Sequence, residues 1–313
     1  MAIRSDGNTE YEANEPTYEE KAAALHEVIQ QQLEQDATRL VLTGRYYGTD
    51  EARIIAEYEP MRSVKTLDLS DNQLADEALL ALFQSPHLAQ LEDLNLSINF
   101  VTEAGVKQLA EAEGVVVTHL KALSMEDNRL KDPAAVALVT SPHFSELEVL
   151  NLGWNEVADA TAQALGGSDH MQSLKTLILE RNYITEAGVR ALFAGSVLDH
   201  LEELNLASNK LMGEGATALA TLKSLPRLKI LWLGNNAIDD AGATALGTST
   251  HFPHLEKLYM GRNYFGQPGG DALYYTKTLT ALQTLVLTEG VETNPDFVNY
   301  SRPELLRPDY EGD

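Results

Sequence analysis

The stretch LEVLNLGWNEV at residues 147–157 has leucine at its first, fourth and sixth positions, asparagine at its ninth and valine at its eleventh. The same spacing recurs along the chain at a constant interval, except that the unit beginning at Leu91 is slightly longer than the others. The full units begin at Val64, Leu91, Leu120, Leu147, Leu174, Leu201, Leu228 and Leu255. Such self-similarity at a fixed period indicates a chain built of stacked repeats.

Two degenerate units extend the series at its ends. One begins at Ala37, with Arg45 in place of the asparagine, and the other begins at Leu282, with Gly290 in that place. Ten units therefore cover residues 37–292, and the positions named below are counted from the first residue of each unit.

The second half of each unit has a pattern of its own. Position 15 is small and position 19 is Leu or Ile in every full unit, as in TEAGVRALFAG at residues 185–195. Apolar residues at helical spacing behind Thr185, which can cap a first turn, predict a helix. Each unit is therefore expected to form a short strand followed by a helix.

One strand and one helix are too small to bury their own apolar faces, so neighbouring units stack and share a single core. Parallel strands lie about 4.8 Å apart, whereas helices are wider, and this difference bends the stack. Positions 1, 4, 6, 9 and 11 are expected to point into the core. Positions 2, 3, 5, 7, 8 and 10 are expected to face outward on the strand side and its rim.

The pattern resembles the leucine-rich repeat of the ribonuclease-inhibitor type, over about four fifths of the chain. The turns SPHL at residues 85–88 and SPHF at residues 141–144 resemble those of bacterial leucine-rich repeat proteins. The resemblance implies an α/β solenoid, a horseshoe with parallel strands on its concave face and helices on its convex face.

Position 9 is asparagine in all eight full units. A buried amide must form hydrogen bonds, and backbone groups of the adjacent turns can supply them. We therefore predict a structural asparagine ladder, formed by Asn72, Asn99, Asn128, Asn155, Asn182, Asn209, Asn236 and Asn263.

Both ends of the stack need a cover, because an open end exposes the core. Residues 1–36 are predicted to be a disordered acidic start followed by a capping helix, with Thr17 and Glu20 at the spacing of a capping box. Residues 37–292 form the repeat domain. Residues 293–313 are predicted to be an acidic C-terminal cap or tail, with Phe297 and Tyr300 over the last repeat.

The composition narrows the cellular context and the class of partner. The sequence has no cysteine, no apolar signal segment near its start and no run long enough to span a membrane. A cytoplasmic location is expected, with an effector exported by a non-classical route as the alternative. The net charge of −24 disfavours nucleic acid. It fits a basic protein partner and, equally, a role in solubility.

Several motifs that resemble chemical sites follow the repeat instead. The segment DLSDN at residues 68–72 begins like a calcium loop but has Leu79 where that loop needs glutamate. The glycine-rich segment at residues 265–271 lacks the lysine of a phosphate loop. Histidines recur at the same place in the turn that leads from a helix to the next strand. No catalytic residue, metal site or cofactor is predicted.

Aromatic and arginine side chains concentrate at the outward positions of the middle and later units. Both tryptophans of the chain are among them. Trp, Tyr and Arg dominate binding hot spots, and small neighbours such as Gly153 and Gly234 leave shallow hollows beside them. The predicted partner-binding patch consists of Trp154, Arg181, Tyr183, Trp232, Tyr259, Arg262 and Tyr264.

Other interpretations remain open. Trp154 could simply lie on Arg181, in a cation–π contact of about 0.5–1 kcal/mol. The favoured function is a non-enzymatic module that binds a protein on the concave face. One alternative is a GTPase regulator similar to the Ran GTPase-activating proteins, acting through Arg45, Arg129 or Arg181 on the rim. Another is a bacterial effector that binds a host protein.

Overall fold

A computed structural model describes residues 16–287 of the chain. Strands and helices alternate along it, as the repeat predicts. The strands are Arg39–Val41 (β1), Thr66–Asp68 (β2), Asp93–Asn95 (β3), Ala122–Ser124 (β4), Val149–Asn151 (β5), Thr176–Ile178 (β6), Glu203–Asn205 (β7), Ile230–Trp232 (β8), Lys257–Tyr259 (β9) and Thr284–Val286 (β10). The α-helices are Tyr18–Leu33 (α1), Thr49–Glu57 (α2), Asp76–Phe83 (α3), Glu103–Glu111 (α4), Asp132–Thr140 (α5), Asp159–Gly167 (α6), Glu186–Phe193 (α7), Met212–Thr221 (α8), Asp240–Thr248 (α9) and Gln267–Tyr274 (α10).

All ten strands form one parallel sheet in the order of the chain. Equivalent positions of neighbouring units pair with each other, so that Leu150 of β5 lies opposite Leu177 of β6. The central residue of each strand is a buried leucine at position 4, while most of the residues on either side of it remain partly accessible on the other face of the sheet. We call that face the concave wall.

Residues at positions 1, 4, 6 and 11 form one continuous core between the sheet and the helices. Leu147, Leu150, Leu152 and Val157 show the pattern in a single unit, and all four are fully buried. The core extends from Leu25 of α1 through every unit, so each unit is stabilised mainly by its two neighbours.

The asparagine ladder is present as predicted, and each of its eight members is nearly fully buried. Asn155 shows how the amide is satisfied. Its Nδ2 donates to the carbonyl oxygens of Met125, Leu152 and Gly153 at 3.0–3.1 Å. Its Oδ1 accepts from backbone nitrogens of the preceding unit, among them that of Leu130 at 2.8 Å. One side chain thus links two units at the end of their strands.

A second ladder, which the sequence analysis did not identify, caps the helices. The carboxylate of Asp132 in α5 accepts hydrogen bonds from the backbone nitrogens of Ala158 at 2.7 Å and Thr161 at 3.1 Å, at the start of α6. Alanine at the N-cap of α6 cannot supply this bond itself. Asp240 does the same for Gly266 and Gly269 at the start of α10.

These carboxylates explain why position 15 is small in some units. A Cβ built on Gly188 would lie 2.3 Å from Oδ1 of Asp159, and one on Gly105 would lie 2.3 Å from Oδ1 of Asp76. At Gly242 the nearest atoms belong instead to Ala216 and Gly213 of the preceding helix, so the small residue there serves close packing of the helices.

The turns from helix to strand use a serine. Ser249 Oγ donates to the carbonyl oxygen of Ala220 in the preceding unit at 2.7 Å and accepts from the backbone nitrogen of His251 at 3.2 Å. The Nδ1 atom of His251 lies 3.0 Å from the same carbonyl oxygen. This contact agrees with a structural role for the recurring histidines.

The first helix lies against the edge of the sheet. Thr17 and Glu20 form both bonds of a capping box at the start of α1, and Leu25 and Ile29 enter the core. The Gln32 amide bonds to both the backbone nitrogen and the carbonyl oxygen of Val41, each at 2.9 Å. Edge strand β1 therefore has a side-chain partner on the side where residues 16–287 contribute no further strand. The acidic start at residues 1–15 and the C-terminal segment at residues 288–313 lie outside the described residues.

Candidate functional site

The seven residues of the predicted patch occupy two rows. Trp232 and Tyr259 are at position 5 of adjacent strands, where they pair directly in the register of β8 and β9. The other five follow the strands, at positions 8 and 10, and form the rim at the end of the concave wall. They are Trp154, Arg181, Tyr183, Arg262 and Tyr264.

The two wall aromatics stack face to face. Their ring centroids are 3.6 Å apart and the planes differ by 5°. Trp232 Nε1 also donates to Glu203 Oε1 on β7 at 2.9 Å. The expectation that Tyr259 is freely exposed is wrong, because only 8% of its surface is accessible. Paired residues of neighbouring strands lie so close that one flat ring covers the next.

The rim depends on an unusual backbone conformation. Position 8 has positive φ in every full unit, with 53° at Trp154 and 59° at Arg262. In this turn the backbone nitrogen of Trp154 donates to the carbonyl oxygen of Glu180 in the next unit at 2.8 Å. The left-handed turn carries the position 8 side chain away from the core. Asparagine, aspartate and glycine tolerate this conformation best, and their presence at Asn235, Asp71 and Gly44 is the signal that the sequence offers.

Two cations of the rim lie on aromatic rings. The Arg181 guanidinium carbon is 3.8 Å from the centroid of the Trp154 ring, and Lys210 Nζ is 4.4 Å from the centroid of the Tyr183 ring. In residues 16–287 neither cation forms an ion pair with a carboxylate. The cation–π contact predicted for Trp154 is therefore present and leaves both side chains at the surface, with 42% of Trp154 and 47% of Tyr183 accessible.

A groove of about 490 Å³ runs along these side chains, and we call it the cationic rim groove. Its lining has three cationic side chains and no carboxylate, although the chain as a whole has a net charge of −24. It is lined by Trp154, Asn155, Arg181, Asn182, Tyr183, Ser208, Asn209, Lys210, Asn235 and Arg262. Four of the seven predicted residues are thus brought together, while Tyr264 stands outside the lining with 76% of its surface accessible.

Lys210 lines the groove but is not among the seven predicted residues of the patch. It occupies position 10, the same row as Tyr183, and this row was the signal that could have identified it. The acidic side chains that give the chain its net negative charge do not line this groove. They lie elsewhere on the wall and rim, because the charge at each outward position changes from unit to unit.

A second groove, of about 590 Å³, lies on the rim of the first four units. Tyr46, Ile98 and Phe100 line it, and 79%, 48% and 63% of their surfaces are accessible. Asp71 and Asp127 also contribute to the lining. Glu103 adds a third acid, and Arg129 and Lys131 are the two cations of the lining. Because the acids outnumber the cations, we call it the acidic rim groove. The sequence places these aromatics at outward positions but centres the patch on later units.

Acidic side chains also lie on the concave wall of the first units. Asp68 on β2 and Asp93 on β3 line a hollow of about 330 Å³, together with Arg39 of β1. Burial, and next the nearby Asp68 carboxylate, raise the pKa of Asp93. The wall therefore holds acidic groups close together at this end.

Position 2 of successive units alternates lysine and glutamate. Glu92 Oε1 and Oε2 accept from Lys65 and Lys121, each at 2.7 Å, and these two bonds lower the pKa of Glu92 to about 2. Lys175 pairs with Glu148, and Lys229 pairs with Glu202. The lysines at this edge of the wall are therefore neutralised within the protein, unlike Arg181 and Lys210.

Arg45, one of the arginines considered for a GTPase regulator, lies outside the cationic rim groove. Arg45 is exposed beside the ladder amide of Asn72, which accepts from its backbone nitrogen at 3.1 Å. Within residues 16–287, no three His, Asp or Glu side chains come together in a way that could hold a metal ion. Among the helices in that part of the chain, none combines the length and apolar content of a membrane span.

The family model described as Leucine Rich repeat matches five segments, residues 61–83, 118–139, 146–166, 198–220 and 225–247. The chain therefore contains leucine-rich repeats. It resembles the crystal structure of an internalin from Listeria monocytogenes at 18% identity and a TM-score of 0.38, covering 87% of this chain and 88% of that one. It also resembles a chain of an octameric complex of Latrophilin 3, Unc5D and FLRT2, at 21% identity and a TM-score of 0.44, covering 79% and 74%. No curated protein matches the chain.

Proposed function

We propose that this chain is a non-enzymatic module that binds a protein partner along its concave wall and rim. The observation that carries the proposal is the set of exposed aromatic side chains on the rim. Trp154 and Tyr183 leave nearly half of their surfaces accessible and line a continuous groove. Neither side chain enters the shared core, and exposed aromatic surface along a groove is typical of an interaction site.

The rows of the wall suit an extended interface. Ten parallel strands present equivalent positions at a regular spacing, and repeat proteins use such surfaces to bind over a large area. Trp232, held flat by the Tyr259 ring stacked on it, offers a rigid anchor on the wall. Aromatic anchors of this kind dominate binding energy when a partner excludes water from them.

Charge supports a polar partner surface with a basic region. Asp68, Asp71, Asp93 and Asp127 lie on the wall and rim of the first units. Asp93 is held at a raised pKa beside Asp68, so a cation that reaches this pair relieves their repulsion. The excess of acids over bases would also speed the approach of a basic surface. The alternation of one strand with one helix in the first nine units further supports placing these repeats in the ribonuclease-inhibitor type.

The experiment starts from the full chain, immobilised and used to capture a partner from a lysate of the cells that produce it. The purified partner is then titrated against the Trp154→Ala and Trp232→Ala variants. We expect each to weaken binding by about 2 kcal/mol. Tyr275→Ala is the matched control, because Tyr275 is 69% exposed after helix α10, away from the wall. If both tryptophan variants bind normally and the control loses binding, the interface lies on the helices and the proposal is wrong.

A further inference from the structure

The cationic rim groove differs in charge from the rest of the molecule. Three cations and no carboxylate line it, in a chain with 47 acids and 23 bases. We propose that this groove binds an extended, carboxylate-rich segment of the protein partner. The inference rests on the proposed function and adds the chemistry of what the rim recognises.

The first support is the state of Arg181 and Lys210. Each lies on an aromatic ring, and in the described part of the chain neither is paired with a carboxylate. The Arg181 guanidinium carbon lies 3.8 Å from the centroid of the Trp154 ring, and the N–H groups of a guanidinium lie in its plane, at the edge of the group. A guanidinium held in this way presents its donors in the fork geometry that binds a carboxylate through two bonds.

The second support is the contrast with the lysines of the wall edge. Lys175 and Lys229 have the same charge and lie in the same units as the groove, yet each contacts a glutamate. Cations at position 2 are thus paired with an acid, whereas Arg181 and Lys210 on the rim lie on an aromatic ring. An aromatic ring holds a cation in place without neutralising its charge.

The third support is spacing. Arg181 follows β6 and Arg262 follows β9, three strands further along the sheet. At about 4.8 Å for each strand, these positions are about 14 Å apart. An extended segment advances about 3.3 Å for each residue, so about five residues span the groove. Side chains of such a segment alternate in direction, and acids at every second position would face the side of the groove that holds Arg181 and Lys210.

Nucleic acid fits the groove less well. A polyanion gains affinity from many cations, and this groove has three in a molecule with a net charge of −24. Base stacking also needs open aromatic faces, whereas the Trp154 and Tyr183 rings already hold cations. A protein carboxylate needs only the local cations, with the partner's remaining contacts made on the wall.

The test uses the full chain and a fluorescein-labelled octapeptide of alternating glutamate and serine, measured by fluorescence anisotropy at low salt. The matched neutral probe replaces glutamate with glutamine. We expect the acidic peptide to bind and the neutral one to bind at least about tenfold more weakly, since bonds between two charged groups are stronger than those to a neutral amide. Arg181→Gln and Lys210→Gln should each weaken binding by about tenfold. Lys175→Gln removes the same charge at the wall edge and should leave binding unchanged.

Two further measurements separate the possible failures. In the Trp232→Phe variant Trp154 is the single tryptophan, so its fluorescence reports whether the peptide occupies the groove. This measurement leaves all the cations of the groove in place, so it does not depend on the folding of the Arg181 and Lys210 variants. Absence of acidic-peptide binding, or equal loss in Lys175→Gln, overturns the inference, while capture of the partner by the wall would still stand. A single-stranded thymidine octamer that binds more tightly than the acidic peptide also overturns it. The proposed function fails separately, when both tryptophan variants bind the captured partner normally.

Discussion

The Trp232 ring lies parallel to the Tyr259 ring, with 3.6 Å between their centroids and 5° between their planes. Each ring belongs to its own strand, and the pairing of β8 with β9 brings them together. Trp232→Ala should therefore have two effects. It should weaken partner binding by about 2 kcal/mol. It should also lower the free energy of unfolding by about 0.5–1.5 kcal/mol, because Tyr259 loses its stacked neighbour.

Binding by calorimetry and urea unfolding measure the two effects separately. Tyr264→Ala is the control, because that side chain is 76% exposed and its loss should leave stability unchanged. An unchanged unfolding midpoint in Trp232→Ala would contradict the stabilising role of the stack.

Asn155→Ala tests the asparagine ladder. The substitution leaves the carbonyl oxygens of Leu152 and Met125 and the backbone nitrogen of Leu130 without their buried partner. We expect a loss of about 1–3 kcal/mol in the free energy of unfolding. Gln84→Ala is the control, because Gln84 is exposed and its amide donates to the carbonyl oxygen of Glu113 at 2.9 Å on the surface. Equal losses in the two variants would mean that burial of the amide does not matter.

Asp159 and Gly188 test the capping ladder as a pair. Asp159→Ala removes the bonds that the carboxylate accepts from the backbone nitrogen and hydroxyl of Thr185, at 2.8 and 2.7 Å, and should cost about 1 kcal/mol. Gly188→Ala places a methyl group 2.3 Å from Oδ1 of the same carboxylate and should cost at least as much. In the double variant only the contact with Ile184 Cγ2 at 2.9 Å remains, so the combined loss should fall below the sum by about 0.5 kcal/mol or more, an interaction of the size expected for residues in contact. Strict additivity, measured by denaturant unfolding, would show that the two residues do not interact.

Glu92 sets a pH dependence at the edge of the wall. Hydrogen bonds from Lys121 and Lys65 lower the pKa of Glu92 from its ordinary value of 4.5 to about 2. The folded state therefore favours the ionised carboxylate, and its contribution is complete above pH 4.5 and lost as the pH falls towards 2. A carboxyl titration by NMR should give a midpoint near 2.

The stability difference between the wild type and Glu92→Gln should accordingly shrink as the pH falls from about 5 to about 2. Glu77→Gln provides the comparison, because Glu77 is exposed on α3 and forms no ion pair within residues 16–287. A difference that grows on acidification would contradict the assignment of the two lysine bonds.

Gln32 tests the cover of the first strand. Gln32→Ala removes both bonds to the Val41 backbone and leaves the edge of β1 without that partner, with an expected loss of about 1–3 kcal/mol. Gln31→Ala is the control, because the Gln31 amide bonds only to Glu27 on the surface of the same helix. Deletion of residues 1–36 should have a larger effect of the same kind and cause aggregation, since Leu25 and Ile29 also leave the core. A soluble deletion variant with unchanged thermal stability would contradict the capping role.

The sequence by itself determined the repeat, the order of strands and helices and the residues that enter the core. Side chains of a strand alternate between its faces, so a fixed period assigns Leu150 and Asn155 to the interior without any knowledge of their partners. The buried amide of Asn155 then had to find backbone groups, and the adjacent turns were the ones within reach.

Only the tertiary structure decided which outward residues are available. Trp154 and Tyr259 are both outward in the repeat, yet one is 42% accessible and the other 8%. The reason is that an outward side chain is covered by its neighbours in the adjacent units, which are a whole repeat away in sequence and one strand away in space. The charge of each groove arises in the same way. Arg181 and Lys210 line the same groove because left-handed turns and the strand register bring them there. The repeat period in the sequence gives neither the distance between two side chains nor the direction in which each one points.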